Sequence, residues 1–529
     1  MNHPHTIRAR HPRRLRTGFS LRARTLTLTA AVLLIVSACG DTGDPGSSGT
    51  QAQTLTLGVA SPPPSLDPAK TTGNGQTYLF LAYDPLIYRA PNGTLKPSLA
   101  TSWNYVGSGN RVFELHLRPN VTFSDGSALT ADVVKANFDH LAKVGSGTAA
   151  NVAKSSTVLV VDPLTVRLTL QQPNPILPTI FTQDTLPGMV SSNALQESTV
   201  LATQSAGTGQ YVLDPTQSVP NDHYTYHVNP SHWDKAAAHY QTVVVKVIPN
   251  PNTALAALKT GQVDVISGNY TTVNSAKSAG LTIAYAPSNF FGLALADRNG
   301  TLVPALRDVR VRQALNYAVD RQQITKALFG DYGTATEQIQ LPGGDGATTT
   351  TTYPYDPGKA KQLLAEAGYP NGLTLPVLTT SQASSNNVVQ AMADNLKQVG
   401  VQLQMTNDAE SSKFQQDVRS KTYPAYGIAF GSLPVHLMAQ LLLLPKGFWN
   451  PFDSTDAELT SLYQQAASAD DVHRAQLDQQ IIERVAELGW FVPVTFSPLF
   501  YFSRSTVSGV TVTPAEPLAN PLEWHPTSS

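Results

Sequence analysis

The chain has 529 residues, of which 41% are hydrophobic and 14% charged, and its 36 lysines and arginines nearly balance 37 aspartates and glutamates. This apolar content excludes an intrinsically disordered chain, and 36 glycines with a single cysteine exclude a collagen-like or disulfide-stapled protein. Because a single hydrophobic core does not grow to this length, we expect at least two domains.

Residues 1–38 have the pattern of a secretory signal peptide. Seven arginines and no acid lie in residues 1–24, and an apolar run then ends in small residues directly before Cys39. The run is shorter than the roughly 20 residues that a membrane-spanning helix needs. An apolar residue, two small residues and a cysteine resemble the bacterial lipobox, which implies lipidation of Cys39 and anchoring of the protein to the cell membrane.

The region after the signal peptide begins with a linker. Residues 39–53 are rich in Gly, Ser and Asp and have no periodicity, so we expect a flexible tether. With seven of the 36 basic residues in the signal peptide, the remaining chain is mildly acidic, which disfavours nucleic acid as a partner. Its first strands are indicated by alternation of apolar and polar residues. The predicted strands cover 55–59, 112–117, 158–170 (a hairpin that turns at 162–163), 224–228 and 242–248.

Helices are predicted from cap residues and from apolar faces. Thr130 can cap a helix whose Val134, Phe138 and Leu141 share one face. Further helices are predicted over 254–258, after Asp308, after Asp320 (with Gln323 in a capping-box spacing and Gly330 as a stop), between Asp356 and Gly368, and near 386–398, 456–468 and 470–487. An apolar stretch over 491–502 is predicted to return as a strand to the first domain, in a mixed α/β (α+β) body.

Enzyme signatures are missing from the sequence. It contains no G-x-S-x-G, S-x-x-K, H-E-x-x-H or P-loop motif, although a carboxylate site without a signature stays possible. Four histidines (His223, His227, His232 and His239) form a loose cluster, which we interpret as exposed strand histidines because no cysteine or close acid completes a metal shell. We therefore predict no catalytic residue, no metal site and no cofactor.

Short motifs in a fixed order resemble a known family. They include Leu99–Trp103 (LATSW) and Gly207–Tyr211 (GTGQY). The remaining matching segments are 113–123, 125–133, 229–233, 256–266, 308–321 and 356–369. Together they resemble family 5 of the extracellular solute-binding proteins, the peptide/nickel group of ABC-importer receptors.

The resemblance implies a bilobal fold of the periplasmic-binding-protein type, with two crossovers between the lobes. Domain I would cover 54–295, with a subdomain at about 94–200, domain II would cover 296–490, and 491–529 would return to domain I. A solute would bind in the cleft between the domains, with hinge candidates at Asn289–Gly292 and around Val492–Val494. The partners implied are the permease and ATPase subunits of an importer, a small solute or oligopeptide, and the membrane through the lipid.

The resemblance also suggests which residues contact the ligand. The candidates are Phe430, Gly431, Ser432, Trp449, Asn289, Phe290 and Tyr78. In peptide-binding members an acidic element in domain II pairs with the amino terminus of the peptide, but here the corresponding stretch, residues 428–436, contains no carboxylate. Burying an ammonium without a counter-charge is costly. A sugar, a metal chelate or another organic solute is therefore favoured as the ligand over a free peptide.

Two alternatives remain open at this level. One is a membrane-anchored hydrolase with a carboxylate site that carries no sequence signature. The other is a receptor of the same fold for nickel or another metal chelate.

Overall fold

The computed structural model describes residues 52–527 apart from 72, 187, 382–384, 432 and 515–517. Its strands in chain order are β1 (Ala52–Val59), β2 (Ile87–Arg89), β3 (Leu95–Pro97), β4 (Ala100–Tyr105), β5 (Val112–Leu117), β6 (Ser156–Asp162), β7 (Thr165–Leu170), β8 (Tyr211–Val219), β9 (His223–Val228), β10 (Tyr240–Val247), β11 (Val265–Gly268), β12 (Thr282–Leu295), β13 (Thr334–Ala335), β14 (Leu373–Thr380), β15 (Val401–Asp408), β16 (Ala425–Gly431), β17 (Phe491–Ser503), β18 (Val507–Ser508) and β19 (His525–Pro526).

The helices lie between these strands, and the longest one described is the last, with 17 residues. They are α1 (Gln76–Ala82), α2 (Ala131–Val144), α3 (Gly147–Lys154), α4 (Leu177–Ile180), α5 (Ser192–Gln196), α6 (Pro251–Lys259), α7 (Val273–Ser278), α8 (Val309–Tyr317), α9 (Arg321–Phe329), α10 (Pro357–Glu366), α11 (Ser385–Gln398), α12 (Ser411–Arg419), α13 (Val435–Met438), α14 (Ala457–Ser468) and α15 (Asp471–Glu487). In the part of the chain described, no helix is both long enough and apolar enough to cross a membrane.

The predicted cap residues begin the helices that they were expected to begin. Thr130 accepts a hydrogen bond from the backbone N–H of Val133, and Val134, Phe138 and Leu141 are buried on the inner face of α2. The expected capping box at Asp320 forms only in part. Asp320 accepts from the backbone N–H of Gln323, but its own N–H donates to the side chain of Asn395 instead.

A large mixed sheet runs through the described residues. It has 11 strands within the described part of the chain, in the order β15-β14-β16-β12-β17-β11-β1-β10-β9-β8, with β13 added at the side of β17. We call β11, β1, β10, β9 and β8 the first half of the sheet, and β16, β14 and β15 the second half. In the first half β1 is parallel to β10 and β11, and in the second half β14 is parallel to β15 and β16.

Two long antiparallel strands, β12 and β17, connect the two halves. β12 pairs with β17 along most of its length, but only its later part pairs with β16. Correspondingly, only the later part of β17 pairs with β11. The chain therefore crosses between the halves twice, once in each strand. The predicted strand over 491–502 is confirmed by β17, which brings the chain back to the first half.

A separate antiparallel sheet, which we call the side sheet, contains β4, β5, β7 and β6. The alternation predicted for residues 112–117 is confirmed, since Phe113, Leu115 and Leu117 are buried in the core between this sheet and α2. The side sheet is tied to the first half. The backbone N–H of Ser124 donates to the carbonyl of Gly207 at 2.9 Å, and His140 on α2 lies 2.9 Å from the carboxylate of Asp67.

Hydrophobic cores cover both faces of the second half of the sheet. Leu293 and Leu295 of β12 lie in one core with residues of α8, α10 and α11. Phe290 and Tyr426 lie in the other, with residues of α13, α14 and α15. Because both faces are covered, β16 and residues 290–295 of β12 are apolar without alternation.

Candidate functional site

The parallel strands of both halves of the sheet end towards the middle of β12 and β17. Gly431, the last residue of β16, is paired with Asn289, and Gly268, the last residue of β11, is paired with Phe500. β1 and β14 run parallel to these strands and end in the same direction. In open α/β sheets, ligands bind outside the carboxyl ends of the strands where the strand order reverses. The candidate site is therefore the cleft at the two crossovers.

Two prolines face each other where the strands cross. Pro287 of β12 is paired with Pro498 of β17, and the register shifts between Pro287 and Phe290. Since proline has no backbone N–H, neither residue can donate to the other strand. The pairing of β12 with β17 therefore lacks two backbone donors directly beside the predicted hinge stretch that begins at Asn289.

A second register shift lies between Phe291 and Gly292, inside the same predicted stretch. A Cβ atom at Gly292 would overlap the carbonyl oxygen of Val492 and lie 2.9 Å from the Cα of Pro493. Glycine is required at this position because the two crossover strands approach each other so closely.

The predicted ligand residues of the second half lie on both faces of the sheet. The side-chain oxygen of Asn289 would be 3.1 Å from a Cβ atom at Gly431, so the asparagine covers the end of β16. Phe290 points to the opposite face, where it is fully buried, and its ring centroid is 6.4 Å from that of the partly exposed Phe430. Ser432 lies outside the described residues.

Two other predicted residues are held in packing clusters. Trp449 contacts the rings of Tyr426 (5.9 Å between centroids), Phe414 (6.3 Å) and Phe448 (4.9 Å). Tyr78 of α1 is buried, packs edge-on against Tyr224 and donates from its hydroxyl to the carbonyl of Ser61 at 2.9 Å.

The contact of Tyr78 with Ser61 has a structural consequence for the cleft. Ser61 follows the end of β1, so Tyr78 fixes the position of the chain where β1 ends. Burial raises the pKa of the Tyr78 hydroxyl, which therefore stays protonated and acts as a donor.

The end of β16 and the start of α13 (residues 428–431 and 433–436), which we call the wall, border the candidate site and carry a buried, neutral histidine. His436 stacks on Tyr463 with ring centroids 4.9 Å apart, and its Nε2 lies 3.1 Å from the amide of Gln440. Burial, with a smaller contribution from the nearby Arg474, lowers the pKa of His436 to about 4. This wall therefore presents no charge from His436 at neutral pH.

The buried acid behind this wall, Asp478, is paired with an arginine. Asp478 is buried and lies 3.3 Å from the guanidinium of Arg474, which is also 4.0 Å from Asp345. Burial raises the pKa of Asp478 to about 6, against the opposing effect of Arg474. Gly346 packs between them and the wall, since a Cβ atom there would lie 2.6 Å from the carbonyl of Asp478 and 3.0 Å from Val435.

An aromatic residue that the sequence did not single out also lies at the strand ends. Tyr270 follows β11, is 37% exposed, and its ring centroid is 5.3 Å from Phe329 of α9, which packs on the second half of the sheet. It therefore joins the two sides of the cleft. The sequence held a signal for it, because the strand over 265–268 is followed by Asn269 and then this tyrosine, and residues that follow parallel strands line such clefts.

The histidine cluster is separated in the structure. His223 and His227 lie on β9, partly exposed as expected, beside Asp222 and Asp214 respectively. His232 corrects the prediction: it lies in the loop after β9 and is buried, because its ring binds Asp84 at 3.3 Å and the carbonyl of Asp234 at 2.7 Å. Burial alone would lower the pKa of His232, but these partners raise it overall. Within the described residues, no group of three histidines, cysteines or acids could hold a metal ion.

A cavity lies in the part of the molecule that carries the first half of the sheet. It has a volume of about 180 Å³ and is lined by Tyr83, Asp84, Tyr88, His232, Trp233 and Glu523, among others. The polar groups at its wall bind one another: Asp84 accepts hydrogen bonds from Thr208 and Trp233, both at 3.0 Å. None of the described predicted ligand residues lines this cavity, although Phe80 of α1, two positions from Tyr78, does.

The comparisons with known proteins agree with this architecture. Residues 94–446 match the family model "Bacterial extracellular solute-binding proteins, family 5 Middle". The glutathione-binding protein GsiB of Escherichia coli (strain K12) is 29% identical over 322 residues, which cover 59% of this chain and 61% of that protein. The chain thus matches less than two-thirds of the length of this relative.

Solved structures show the same fold over nearly the whole described chain. HbpA2 from Haemophilus parasuis has a TM-score of 0.79 at 24% identity, and the ABC transporter substrate binding protein CtaP from Listeria monocytogenes has 0.78 at 21%. Each match covers 90% of this chain and 100% of the other. The predicted mixed α/β fold of the periplasmic-binding-protein type is confirmed.

Proposed function

Because the chain belongs to family 5 of the bacterial extracellular solute-binding proteins, we propose that it is the receptor of an ABC importer. It binds a small organic solute or oligopeptide outside the cytoplasm and delivers it to the permease. Membership of this family confirms the resemblance seen in the motifs, and it favours a binding protein over the hydrolase alternative.

The observation that carries this proposal is the convergence of strand ends at the crossovers. β1 and β11 of the first half, and β14 and β16 of the second, all end towards the middle of β12 and β17. A solute placed there contacts both halves at once. It can therefore favour a closed arrangement over an open one by its differential affinity, with the paired prolines Pro287 and Pro498 as the hinge.

The charges around the wall indicate the chemistry of the solute. The wall contains no carboxylate, His436 is neutral, and Asp478 is already paired with Arg474. A ligand ammonium would find no carboxylate on the wall itself, and burying it there would be costly. The solute that fits best is therefore one without a free α-amino group at this end.

The cavity beside Asp84 supports no second function, because its acidic and aromatic groups are engaged with each other. The proposal extends to the N-terminal segment: the lipid on Cys39 would hold the receptor on the outer side of the membrane. Cys39 lies outside the described residues, so this part rests on the sequence pattern alone.

Native mass spectrometry of the purified protein tests the proposal by identifying the solute that co-purifies with it. We expect a stoichiometric small molecule that is recovered unchanged. Conversion of that molecule by the protein would contradict the receptor assignment and support a hydrolase.

Titration calorimetry with matched peptides tests the solute class. The unmodified protein should not prefer a free-amine peptide over its N-acetylated form. Leu433→Asp places a carboxylate on the partly exposed wall, and should raise the preference for the free amine about tenfold, since hydrogen bonds to charged groups contribute about 1.5–3 kcal/mol. Leu159→Asp, on exposed β6, is the matched control and should change nothing. Tight binding of the free peptide by the unmodified protein, abolished by acetylation, would show that another acid binds the ammonium.

A further inference from the structure

The two sides of the cleft also touch at the side sheet, away from the crossovers and from the contact of Tyr270 with Phe329. Asn110 lies in the turn between β4 and β5 of the side sheet, and its side-chain amide donates to the carbonyls of Ala467 at 3.1 Å and Ala469 at 2.9 Å. These carbonyls belong to the C-terminal end of α14, which packs on the second half of the sheet through Leu459 and Ala466. The contact therefore joins the part attached to the first half with the part attached to the second.

The chemistry of this contact is specific. The last carbonyls of a helix have no partner within the helix, and a side-chain donor that reaches them satisfies groups that water would otherwise solvate. A single carboxamide supplies both hydrogens here. Asn110 has a backbone φ of 52°, in the left-handed region that asparagine tolerates better than most residues.

Neighbouring residues hold Asn110 in position. Its carbonyl accepts from the N–H of Asn174 at 2.9 Å, while the carbonyl of Asn174 accepts from the hydroxyl of Tyr105 at 2.6 Å. On the other side of the contact, Leu437 of α13 packs against the core of the side sheet. The hydrogen bonds of Asn110 thus lie at the edge of a packed surface between the two sides of the cleft.

We propose that Asn110 is a positioning residue for solute binding, which holds the cleft closed by capping the C-terminus of α14. The inference rests on the proposed function, because closure matters only if a solute binds between the two sides. Asn110 lies outside the predicted ligand residues and acts on the balance between open and closed forms. The apparent affinity for solute then follows the fraction of molecules in the closed form.

The test measures closure directly, without solute. In the full-length chain with Cys39→Ser, Lys143→Cys on α2 and Gln416→Cys on α12 carry spin labels, and pulsed electron paramagnetic resonance gives the distance distribution between them. Both positions are exposed, and no other cysteine exists in the sequence.

Two variants remove the contact in different ways. Asn110→Gly keeps the left-handed backbone and removes the carboxamide, and Asn110→Asp keeps the shape but places an acceptor against two carbonyl oxygens at neutral pH. Both should lower the ratio of closed to open molecules about tenfold, seen as a shift of the distribution to longer distances. Asn104→Ala, in the same hairpin, is the control: among the described residues its side chain bonds to the carbonyl of Tyr105 alone, so it should leave the distribution unchanged.

Unchanged distributions in both Asn110 variants, or an equal shift in the Asn104 control, would overturn the proposal. The thermal unfolding midpoint of each variant shows whether the variant is folded. If Asn110→Gly does not fold, Asn110→Asp alone provides the test. Because the measurement needs no solute, its failure leaves the receptor assignment standing. Conversely, a protein that binds no solute could still show the closure that depends on Asn110.

Discussion

The stability of this protein in acid should depend strongly on one buried histidine of the cleft wall. His436 has a pKa of about 4 in the fold, against about 6.5 in an unfolded chain. The fold accommodates the neutral form of His436. The stability that this histidine contributes is therefore complete above about pH 6.5 and is lost as the pH falls towards 4. Each pH unit between these two pKa values costs about 1.4 kcal/mol, so the loss of stability at pH 4.5 amounts to about 2.5 kcal/mol.

The substitution that isolates this effect is His436→Phe. The new ring can keep the stacking on Tyr463, and the Nδ1 atom that it removes has no hydrogen-bond partner among the described residues. Asp478 contributes in the opposite direction: its raised pKa favours the fold at low pH, and that contribution is lost as the pH rises through about 6. Because Asp478 is present in both proteins, the comparison between them removes most of its effect.

Urea unfolding at pH 7 and at pH 4.5 gives the required free energies. From pH 7 to 4.5 the unmodified protein should lose about 2.5 kcal/mol more stability than His436→Phe does. His525→Phe, at an exposed histidine, is the control and should behave like the unmodified protein. Equal losses in His436→Phe and in the unmodified protein would refute the reasoning, because they would show that His436 is not buried in its neutral form.

Two further predictions concern a glycine and the N-terminal cysteine. Gly292→Ala should lower the free energy of unfolding by about 2 kcal/mol, because the added Cβ overlaps the carbonyl of Val492. The control Gly358→Ala, in α10, should leave the free energy of unfolding unchanged or slightly higher. Equal effects of the two substitutions in denaturant titrations would contradict this prediction. Cys39→Ser should release the protein from the membrane fraction or leave it uncleaved, since no other thiol exists for lipidation, and a variant that sediments with membranes like the unmodified protein would refute the assignment.

The local structure could be predicted because short sequence patterns determine it. The helix after Thr130 and the strand over 112–117 depend on residues within one or two turns of each other. The partial capping box at Asp320 shows the limit of this reasoning. The spacing from Asp320 to Gln323 was correct. The backbone N–H of Asp320, however, donates to the side chain of Asn395, 75 positions away, and not to that of Gln323.

The pairing between segments that are distant in the chain could not be predicted from the sequence. No local pattern shows that β1 pairs with β10 and β11, nearly 200 positions later, or that Pro287 faces Pro498. His232 was misjudged for the same reason: its partner Asp84 is 148 positions distant. The candidate ligand residues came from the family resemblance, and only the strand ends show that Asn289 and Gly431 meet at the crossover. The domain boundaries and the ligand contacts stay predictions.

Hydrogen–deuterium exchange, with and without the co-purified solute, tests the location of the binding site most directly. We predict that the solute protects residues 59–61, 268–270, 287–291 and 496–498, the segments where the strands end and cross. Protection confined to the segments that line the cavity beside Asp84, with no change at the crossovers, would contradict the account.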